Sequence, residues 1–259
     1  MGRLRGIDTV LLDLDGTLYV GSQVVPGAPG AVRRLREAGF ALRFATNTDS
    51  ITPAALADRL AGFGFEAVED ELVTPVAVAA QRFAATPGAR VLAVASDQVR
   101  GLLGGCLAGP GEAATHVLVA DPSYGATYAE LDEAFRALRA GAELVATQVN
   151  RIAIRDQGEH LDTGGWVRLL EYATATTARV LGKPSPEFFT APLAALGRGP
   201  ETALVVGDDL AADVGGAHAV GAAAVLVRSG MGGRPQPGAE AEPDAVIDSV
   251  ADLPGLLGA

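Results

Sequence analysis

Two aspartates that follow an apolar segment are the strongest chemical signal in the sequence. The segment Val10-Leu-Leu12 runs into Asp13-Leu-Asp-Gly-Thr-Leu18. Alternate side chains of an extended chain lie on the same face, so Asp13 and Asp15 share one side. One carboxylate can then act as nucleophile while the other acts as general acid and later as general base. Asp-Gly is also common in plain turns, but the longer Asp-x-Asp-Gly-Thr pattern favours the chemical interpretation.

A hydroxyl- and amide-rich segment, Thr46-Asn-Thr-Asp-Ser50, follows a second apolar run and precedes a predicted helix. Hydroxyls, amides and turn N–H groups at such a position can bind phosphate oxygens, which makes Thr46 and Asn47 candidate phosphate ligands. A simpler interpretation is a helix start, with Thr52 as cap and Pro53 as first residue. The two roles are compatible because the phosphate ligands would precede the cap.

A third candidate is the lysine in Gly182-Lys-Pro-Ser-Pro186. Pro184 favours an extended conformation at Lys183, and Ser185 with Pro186 predicts the start of a helix. Lys183 is therefore expected on a stiff loop beside a helix N-terminus, where it can pair with phosphate. A lone lysine is usually a solvated surface charge, but the rigid proline framing and the other motifs favour the functional interpretation.

The segment Gly207-Asp-Asp-Leu-Ala-Ala-Asp213 adds three carboxylates in six residues. A helix dipole readily explains one aspartate at a helix start, but not three. With Asp13 and Asp15 the set reaches five, and Lys183 is the obvious cation among them. A bound divalent cation would offset this charge, and ligands that are all hard oxygens favour Mg²⁺ over Zn²⁺. Whether Asp209 contributes to that site is left open.

Strand-like and helix-like segments alternate along the chain, which predicts an α/β fold with a largely parallel sheet. In such sheets ligands bind at the carboxyl ends of strands, and the polar motifs directly follow predicted strands. They are therefore expected at one edge of the sheet.

His160 is predicted in a polar turn, and Gly230–Pro243 as a surface loop. Predicted strands are Val10–Leu12, Ala41–Ala45, Arg90–Ala95, His116–Ala120, Ala142–Thr147, Ala203–Val206, Ala223–Val227 and Ala245–Ile247, and the first two predicted helices are Pro29–Ala38 and Pro53–Gly62.

The composition excludes several classes of function. A net charge of −11 and a pI near 4.7 argue against a nucleic acid or an anionic membrane as partner. The single cysteine, Cys106, excludes an intrachain disulfide. No window approaches the roughly 18 apolar residues of a membrane span. A cytoplasmic protein that acts on a small anionic molecule is the expectation.

Together the four motifs resemble the signature motifs of the haloacid dehalogenase (HAD) superfamily in order, placement and residue type. The long gap between Thr46 and Lys183 resembles subfamily IIA, the branch with a C2-type cap that includes NagD-like and nitrophenylphosphatase-like enzymes. Glu171-Tyr-Ala173, Gly182–Phe189 and Gly207–Ala217 look most similar to phospholysine phosphohistidine inorganic pyrophosphate phosphatases and their relatives.

The resemblance implies a Rossmann-like parallel-sheet core, the HAD fold, with an inserted α/β cap domain. The core would comprise residues 1–75 and 177–259, and the cap residues 76–176. The cap would cover the site, exclude water and contact the leaving group. Its candidate substrate residues are Gln148, Asn150 and Arg151, which follow a predicted strand. A homodimer formed through the caps is a further expectation.

The resemblance also assigns roles to the motif residues. Asp13 would attack phosphorus to form an aspartyl-phosphate, and Asp15 would protonate the leaving group and then activate water. The phosphoryl oxygens would be bound by Thr46, Asn47 and Lys183. The Mg²⁺ would be held by the Asp13 carboxylate, the Asp15 backbone carbonyl and Asp208, with Asp213 acting directly or through water.

Several alternatives stay open at this point. A phosphotransferase or mutase of the same fold would pass the phosphoryl group to an acceptor other than water. A non-catalytic phosphate-binding protein would keep the fold alone, although Asp13, Asp15 and Lys183 are all present. A dinucleotide-binding oxidoreductase would need a Gly-x-Gly-x-x-Gly loop after the first strand, where Asp-Leu-Asp-Gly stands instead. The expected substrate is a small phosphorylated metabolite, and phosphate esters, phosphoanhydrides and phosphoramidates all stay open.

Overall fold

The computed structural model describes residues 4–121, 124–155, 158–234, 236, 238 and 240–259. The chain divides into two compact units. The first unit comprises Met1–Thr46, Pro53–Val73 and Lys183–Ala259, and the second comprises Asn47–Thr52 and Thr74–Gly182. The second unit is longer at both ends than the insert predicted over residues 76–176, and it also includes the short segment Asn47–Thr52.

The predicted strands and the first two predicted helices are found within one residue at each end. Short strands that the sequence analysis did not predict add to them. Within the described ranges the strands are β1 Thr9–Leu12, β2 Tyr19–Val20, β3 Gln23–Val24, β4 Ala41–Ala45, β5 Leu72–Val73, β6 Val91–Val94, β7 His116–Val119, β8 Glu143–Ala146, β9 Ile152–Arg155, β10 Gly158–Leu161, β11 Arg179–Val180, β12 Ala203–Gly207, β13 Ala223–Val227 and β14 Ala245–Ile247. The helices of those ranges are α1 Ala28–Glu37, α2 Pro53–Gly62, α3 Pro75–Ala85, α4 Asp97–Leu103, α5 Tyr128–Arg139, α6 Thr163–Thr174, α7 Pro186–Ala195, α8 Gly216–Val220 and α9 Leu253–Leu257. None of them is both long and apolar enough to cross a bilayer.

The sheet of the first unit is parallel, in the order β14-β13-β12-β1-β4-β5. Every residue of β1, β12 and β13 is buried. Continuous apolar strands of this kind are typical of a parallel sheet with both faces covered. The predicted α/β class with a parallel sheet is confirmed.

The register of this sheet brings three polar strand ends together. Leu12 of β1 lies opposite Val206 of β12 and Phe44 of β4. Because parallel strands end at the same edge, the residues that follow these three strands share that edge. This places Asp13 between the ends of β4 and β12.

A short hairpin, β2–β3, follows the first motif in the first unit. The turn that leads into it is built on the Leu14 carbonyl oxygen, which accepts hydrogen bonds from Thr17, Leu18 and Tyr19. Gly16 has a φ of 93°, a left-handed conformation that favours glycine. The Tyr19 side chain is only 1% exposed and anchors the hairpin in the unit.

The second unit has its own parallel sheet, in the order β11-β8-β7-β6, and a separate antiparallel hairpin, β9–β10. His160 lies in β10, so the turn predicted there is wrong; the paired strand Ile152–Arg155 supplies the ladder hydrogen bonds. Asp162 caps α6 by accepting a hydrogen bond from the Thr163 N–H. The buried core of this unit is formed by Val94, Val117, Val119, Ala134, Leu138, Ala142, Leu144, Ala146, Val167 and Leu170.

A buried carboxylate, Asp49, ties the segment Asn47–Thr52 to the rest of the second unit. Its Oδ2 accepts hydrogen bonds from the hydroxyls of Thr147, at 2.5 Å, and Thr163, at 3.0 Å. The Asp121 backbone N–H donates to the same oxygen at 3.2 Å. Burial raises the pKa of Asp49 from 3.8 to about 6, against the opposing effect of these donors.

The raised pKa of Asp49 predicts a pH dependence of folding. The folded state holds the Asp49 proton more tightly than the unfolded chain, so the contribution of Asp49 to stability is full below about pH 4 and is lost as the pH rises through about 6. The rise from 3.8 to about 6 corresponds to about 3 kcal/mol. Asp49→Asn removes this dependence. Urea unfolding of both proteins, followed by fluorescence of the single tryptophan, Trp166 in α6, checks the difference at about pH 4 and about pH 7.

The control for this experiment is Asp70→Asn, because Asp70 is exposed. Its stability relative to the wild type is expected to stay constant over the same pH range. A wild-type to Asp49→Asn difference that is equally constant would contradict the assignment of the pH dependence to Asp49.

Candidate active site

Lys183 lies at the centre of the candidate site, on the loop that leads into α7. Its side chain is buried, and its Nζ lies 2.5 Å from Oδ1 of Asp13 and 2.7 Å from Oδ1 of Asp213. The alternative interpretation of Lys183 as a solvated surface charge is therefore excluded. The Lys183–Pro184 peptide bond is cis. Ser185 precedes α7 without a side-chain capping bond, and Pro186 is its first residue.

Asp13 is fixed at both its backbone and its side chain. Its N–H donates to the Val206 carbonyl at 2.8 Å, which continues the β1–β12 pairing by one residue. Its Oδ2 accepts a hydrogen bond from the buried Thr17 hydroxyl at 3.0 Å, while Oδ1 faces Lys183. Both carboxylate oxygens are thus oriented, and Asp13 itself is only 6% exposed.

Asp208 and Asp213 lie at the end of β12 and in the helical turn that follows it. Oδ2 of Asp208 accepts a hydrogen bond from the Met231 N–H at 2.6 Å. Oδ2 of Asp213 accepts one from the Asp209 N–H at 3.1 Å. In each aspartate one oxygen is held by the backbone, so the orientation of the carboxylate is set before any ligand binds.

Asp209 points elsewhere. Its carboxylate accepts hydrogen bonds from the N–H groups of Ala211 and Ala212, both at 2.8 Å, and so caps the turn at Leu210–Gly215. This is the ordinary role of an aspartate at a helix start. Asp209 is not a member of the acidic cluster described next.

Among the described residues, Asp13, Asp208 and Asp213 form a cluster that could hold a metal ion. Each offers a carboxylate oxygen, and these oxygens lie within 4.8 Å of one another. All three residues are buried. The donor set consists of hard oxygens, with no sulfur or imidazole, and this fits Mg²⁺.

Charge in the cluster is not balanced by protein groups alone. Burial raises the pKa of Asp13 to about 8, opposed by Lys183 and reinforced by the carboxylates of Asp213 and Asp208. Burial also raises the pKa of Asp208 to about 7. Burial lowers the pKa of Lys183, but the attraction of Asp13 and Asp213 outweighs it, so the ammonium stays charged. The cluster therefore holds a proton near neutral pH unless another cation replaces it.

Two glycines allow the backbone to approach Asp208 closely. A Cβ on Gly16 would overlap with the Asp208 carboxylate, and so would one on Gly230. Both glycines have positive φ, 93° and 59°. The turn after β1 and the loop after β13 thus converge on the same carboxylate.

Asp15 differs from Asp13 in its surroundings. It is exposed, and its Oδ1 accepts a hydrogen bond from the Gly21 N–H of the β2–β3 hairpin at 3.2 Å. Asp15 lies directly before Gly16, which packs against Asp208. The turn therefore carries Asp15 next to the acidic cluster and leaves its carboxylate accessible.

The predicted phosphate ligands lie in different units. Thr46 is buried at the end of β4 in the first unit, and its N–H donates to the Val73 carbonyl at 3.0 Å. Asn47 belongs to the second unit, where its side-chain oxygen lies beside Gly182. Their role as phosphate ligands stays a prediction.

The predicted substrate residues of the second unit also differ from one another. Gln148 is buried; its amide donates to Asp162 at 2.8 Å, and its oxygen accepts a hydrogen bond from the Asn150 N–H at 2.5 Å. These contacts stabilise the loop before β9 and the cap of α6. Asn150 and Arg151 are exposed and available for contact with a ligand.

The sequence analysis missed three residues that orient the cluster. Thr17 belongs to the first motif, and its hydroxyl beside a buried carboxylate was a readable signal. Met231 and Gln236 lie in the loop predicted only as a surface connection. The Gln236 side chain donates to the Asp208 carbonyl at 2.8 Å and accepts from the Leu210 N–H at 2.7 Å. Nothing in the Gly- and Pro-rich composition of that loop indicated these contacts.

Comparison with known proteins defines the class of this arrangement. The model of the haloacid dehalogenase-like hydrolase family matches residues 10–106, and an HAD-hydrolase-like model matches residues 180–253. The chain belongs to the haloacid dehalogenase-like hydrolases, and within them it is a phosphatase of subfamily IIA. The resemblance of the four motifs is confirmed.

Two relatives are similar to this chain over most of their length. Human haloacid dehalogenase-like hydrolase domain-containing protein 2 is 37% identical over 230 residues, covering 89% of this chain and 87% of the relative. The phospholysine phosphohistidine inorganic pyrophosphate phosphatase of Xenopus laevis is 36% identical over 252 residues, covering 94% of this chain and 90% of the relative.

Solved structures with the same fold include two phosphatases. The 4-nitrophenylphosphatase of Thermotoga maritima matches with a TM-score of 0.88 and 25% identity, covering 99% of this chain and 98% of that one. The glycerol phosphate phosphatase of Mycobacterium tuberculosis, solved in complex with magnesium, matches with a TM-score of 0.85 and 30% identity, covering 97% and 77%.

The close approach of Gly16 to Asp208 predicts that Gly16→Ala is strongly destabilising. Gly39→Ala is a matched control, because Gly39 has a φ of 91° against 93° for Gly16 but has nothing within 4 Å of an added Cβ. Both variants incur the backbone strain, and only Gly16→Ala adds the overlap, which costs about 1–3 kcal/mol more. Urea unfolding followed by circular dichroism measures the difference, and equal losses would exclude a tight contact at Gly16.

Proposed function

We propose that this protein hydrolyses small-molecule phosphate esters in a Mg²⁺-dependent reaction that passes through an aspartyl-phosphate. The observation that supports this most directly is the Lys183 ammonium held between Asp13 and Asp213, beside Asp208. A buried, oriented carboxylate next to a fixed cation is suited to attack a phosphoryl group, which must bring negative charge into the same place.

In the proposed first step an oxygen of Asp13 attacks phosphorus. The new bond joins that oxygen to phosphorus, and the bond from phosphorus to the leaving-group oxygen breaks. The Thr17 hydroxyl holds the other carboxylate oxygen, so the attacking oxygen keeps a fixed direction. Lys183 offsets charge on the phosphoryl oxygens and on the attacking carboxylate.

Asp15 is the proposed general acid and base. It gives its proton to the leaving-group oxygen as that oxygen departs. Water then attacks the phosphorus of the aspartyl-phosphate while Asp15 accepts a proton of that water. The bond between phosphorus and the Asp13 oxygen breaks, which frees the Asp13 carboxylate and releases inorganic phosphate. The exposure of Asp15 supports this role, because both the leaving group and water must reach it.

The residues that would hold Mg²⁺ are Asp13, Asp208 and Asp213, together with the backbone carbonyl of Asp15 that the family resemblance implies. When bound, the ion would neutralise carboxylate charge and the charge of the phosphoryl group. Asp208 and Asp213 each keep one oxygen on a backbone N–H, which orients the other. Hydrogen bonds of this kind to metal ligands support metal affinity.

The remaining proposed ligands concern the substrate. Thr46 and Asn47 would bind phosphoryl oxygens together with Lys183. Asn150 and Arg151 would contact the leaving group, and Gln148 would act through the loop that it stabilises. Two similar proteins are named as a 4-nitrophenylphosphatase and a glycerol phosphate phosphatase, which supports small phosphate monoesters as the substrate class.

Replacement of the nucleophile is the first test of this proposal. Asp13→Asn is expected to lower p-nitrophenyl phosphate hydrolysis by at least about 10³-fold, because no aspartyl-phosphate can form. Acid-quenched protein should retain ³²P from a labelled phosphate ester in the wild type and not in the variant. Asp58→Asn, at an exposed position of α2, should match the wild type in both assays. Full activity of Asp13→Asn would refute the assignment.

Metal binding can be tested without turnover. Mg²⁺ at 100 times its dissociation constant should stabilise the wild type by about 2.7 kcal/mol, seen as a rise in Tm. Asp208→Asn should lose most of that rise, because one ligand of the cluster becomes neutral. Asp209→Asn should keep it, and also the helix cap, because the asparagine side-chain oxygen can accept the same backbone hydrogen bonds. Equal Mg²⁺ responses in all three proteins would place the ion elsewhere.

A further inference from the structure

A single arginine of α2 contacts the hairpin that follows the first motif. Arg59 lies with its guanidinium 4.9 Å from the ring centre of Tyr19 and 5.6 Å from that of Phe63. The rings of Tyr19 and Phe63 are 5.1 Å apart. The cation therefore packs over two aromatic rings, one from the hairpin and one from the turn after α2.

The same arginine is hydrogen-bonded to the residue that holds Asp15. Nη2 of Arg59 donates to the Gly21 carbonyl oxygen at 3.0 Å, and the Gly21 N–H donates to Oδ1 of Asp15 at 3.2 Å. A third bond, from the Gly16 N–H to the Tyr19 carbonyl at 2.7 Å, closes the turn. Two backbone groups of Gly21 thus link Arg59 to the Asp15 carboxylate.

We infer that Arg59 is a positioning residue for Asp15, acting through Gly21 and Tyr19; this inference rests on the proposed function of Asp15 as general acid. The hairpin has two residues in each strand, and a hairpin of that size is not stable by itself. The packing of Tyr19 against Arg59 and the hydrogen bond from Arg59 to the Gly21 carbonyl fix the turn of the hairpin. The orientation of an exposed carboxylate then depends on a residue that does not touch the substrate.

The inference makes a prediction about leaving groups. As the phosphorus–oxygen bond breaks, the leaving oxygen takes the proton of Asp15, and a basic leaving group needs that proton more than an acidic one does. Misplacement of Asp15 should therefore slow phenyl phosphate hydrolysis more than p-nitrophenyl phosphate hydrolysis. The two substrates have similar shapes, so changes in binding affect both alike.

The experiment compares the Mg²⁺-loaded wild type with Arg59→Gln and Arg59→Lys on both esters. In Arg59→Gln, kcat/KM for phenyl phosphate should fall about tenfold more than kcat/KM for p-nitrophenyl phosphate, chiefly through kcat. Arg59→Lys keeps the charge and one donor nitrogen but lacks the planar guanidinium. Its change in the ratio of the two kcat/KM values should lie between those of the wild type and Arg59→Gln. Arg33→Gln, which removes an exposed arginine from α1, should leave the ratio unchanged. An equal fall on both esters in Arg59→Gln, or no fall, overturns the inference.

A second measurement separates this inference from the proposed function. Amide hydrogen exchange of the β2–β3 hairpin does not require activity, and exchange at Gly21 should be at least about tenfold faster in Arg59→Gln than in wild type or Arg33→Gln. Unchanged exchange would overturn the positioning role even if the enzyme is active. A wild type inactive on both esters would contradict the proposed function, and the exchange result would still decide whether Arg59 fixes the turn.

Discussion

The ion pairs of Lys183 with two buried aspartates are the constraint on which the rest of the site depends. To bring one ammonium within 2.7 Å of both Asp13 and Asp213, the ends of β1 and β12 and the loop before α7 must meet in a small volume. At three positions beside these carboxylates the backbone leaves no room for a side chain. Glycines therefore stand where an added Cβ would overlap with a carboxylate, at Gly16 and Gly230 against Asp208 and at Gly207 against Asp213.

The same contacts determine the charge of the buried site and the pKa of Asp13. Burial raises the pKa of Asp13 to about 8, opposed by Lys183 and reinforced by the neighbouring carboxylates of Asp213 and Asp208. In the proposed reaction a divalent cation would offset the charge of the carboxylates without the proton that would quench the proposed nucleophile. The cation and Lys183 would then together supply the local attraction through which an overall acidic protein binds a phosphate group.

Regular apolar segments made the larger elements predictable, whereas contacts between distant loops did not leave a local pattern. Strands β1, β12 and β13 are continuous apolar runs, and the polar motifs after β1, β4 and β12 were placed at the right edge of the sheet. The two-residue strands have too few positions to show a period. Gln236 approaches Asp208 only through the folded loop. Gln148 was predicted as a substrate residue, and its hydrogen bond to Asp162, 14 residues away, left no local pattern.

The two aspartates of the first motif show how one residue type can serve two purposes two positions apart. Asp13 is buried, hydrogen-bonded by Thr17 and paired with a lysine, which orients its carboxylate for the proposed role as nucleophile. Asp15 is exposed, which suits the proposed role of an acid that meets both a leaving group and water. Because Asp15 is exposed, it lacks the packing that orients Asp13. The orientation of the Asp15 carboxylate therefore has to come from the neighbouring backbone. The β2–β3 hairpin, which the sequence pattern did not reveal, is the part of the fold that supplies it, through the Gly21 N–H.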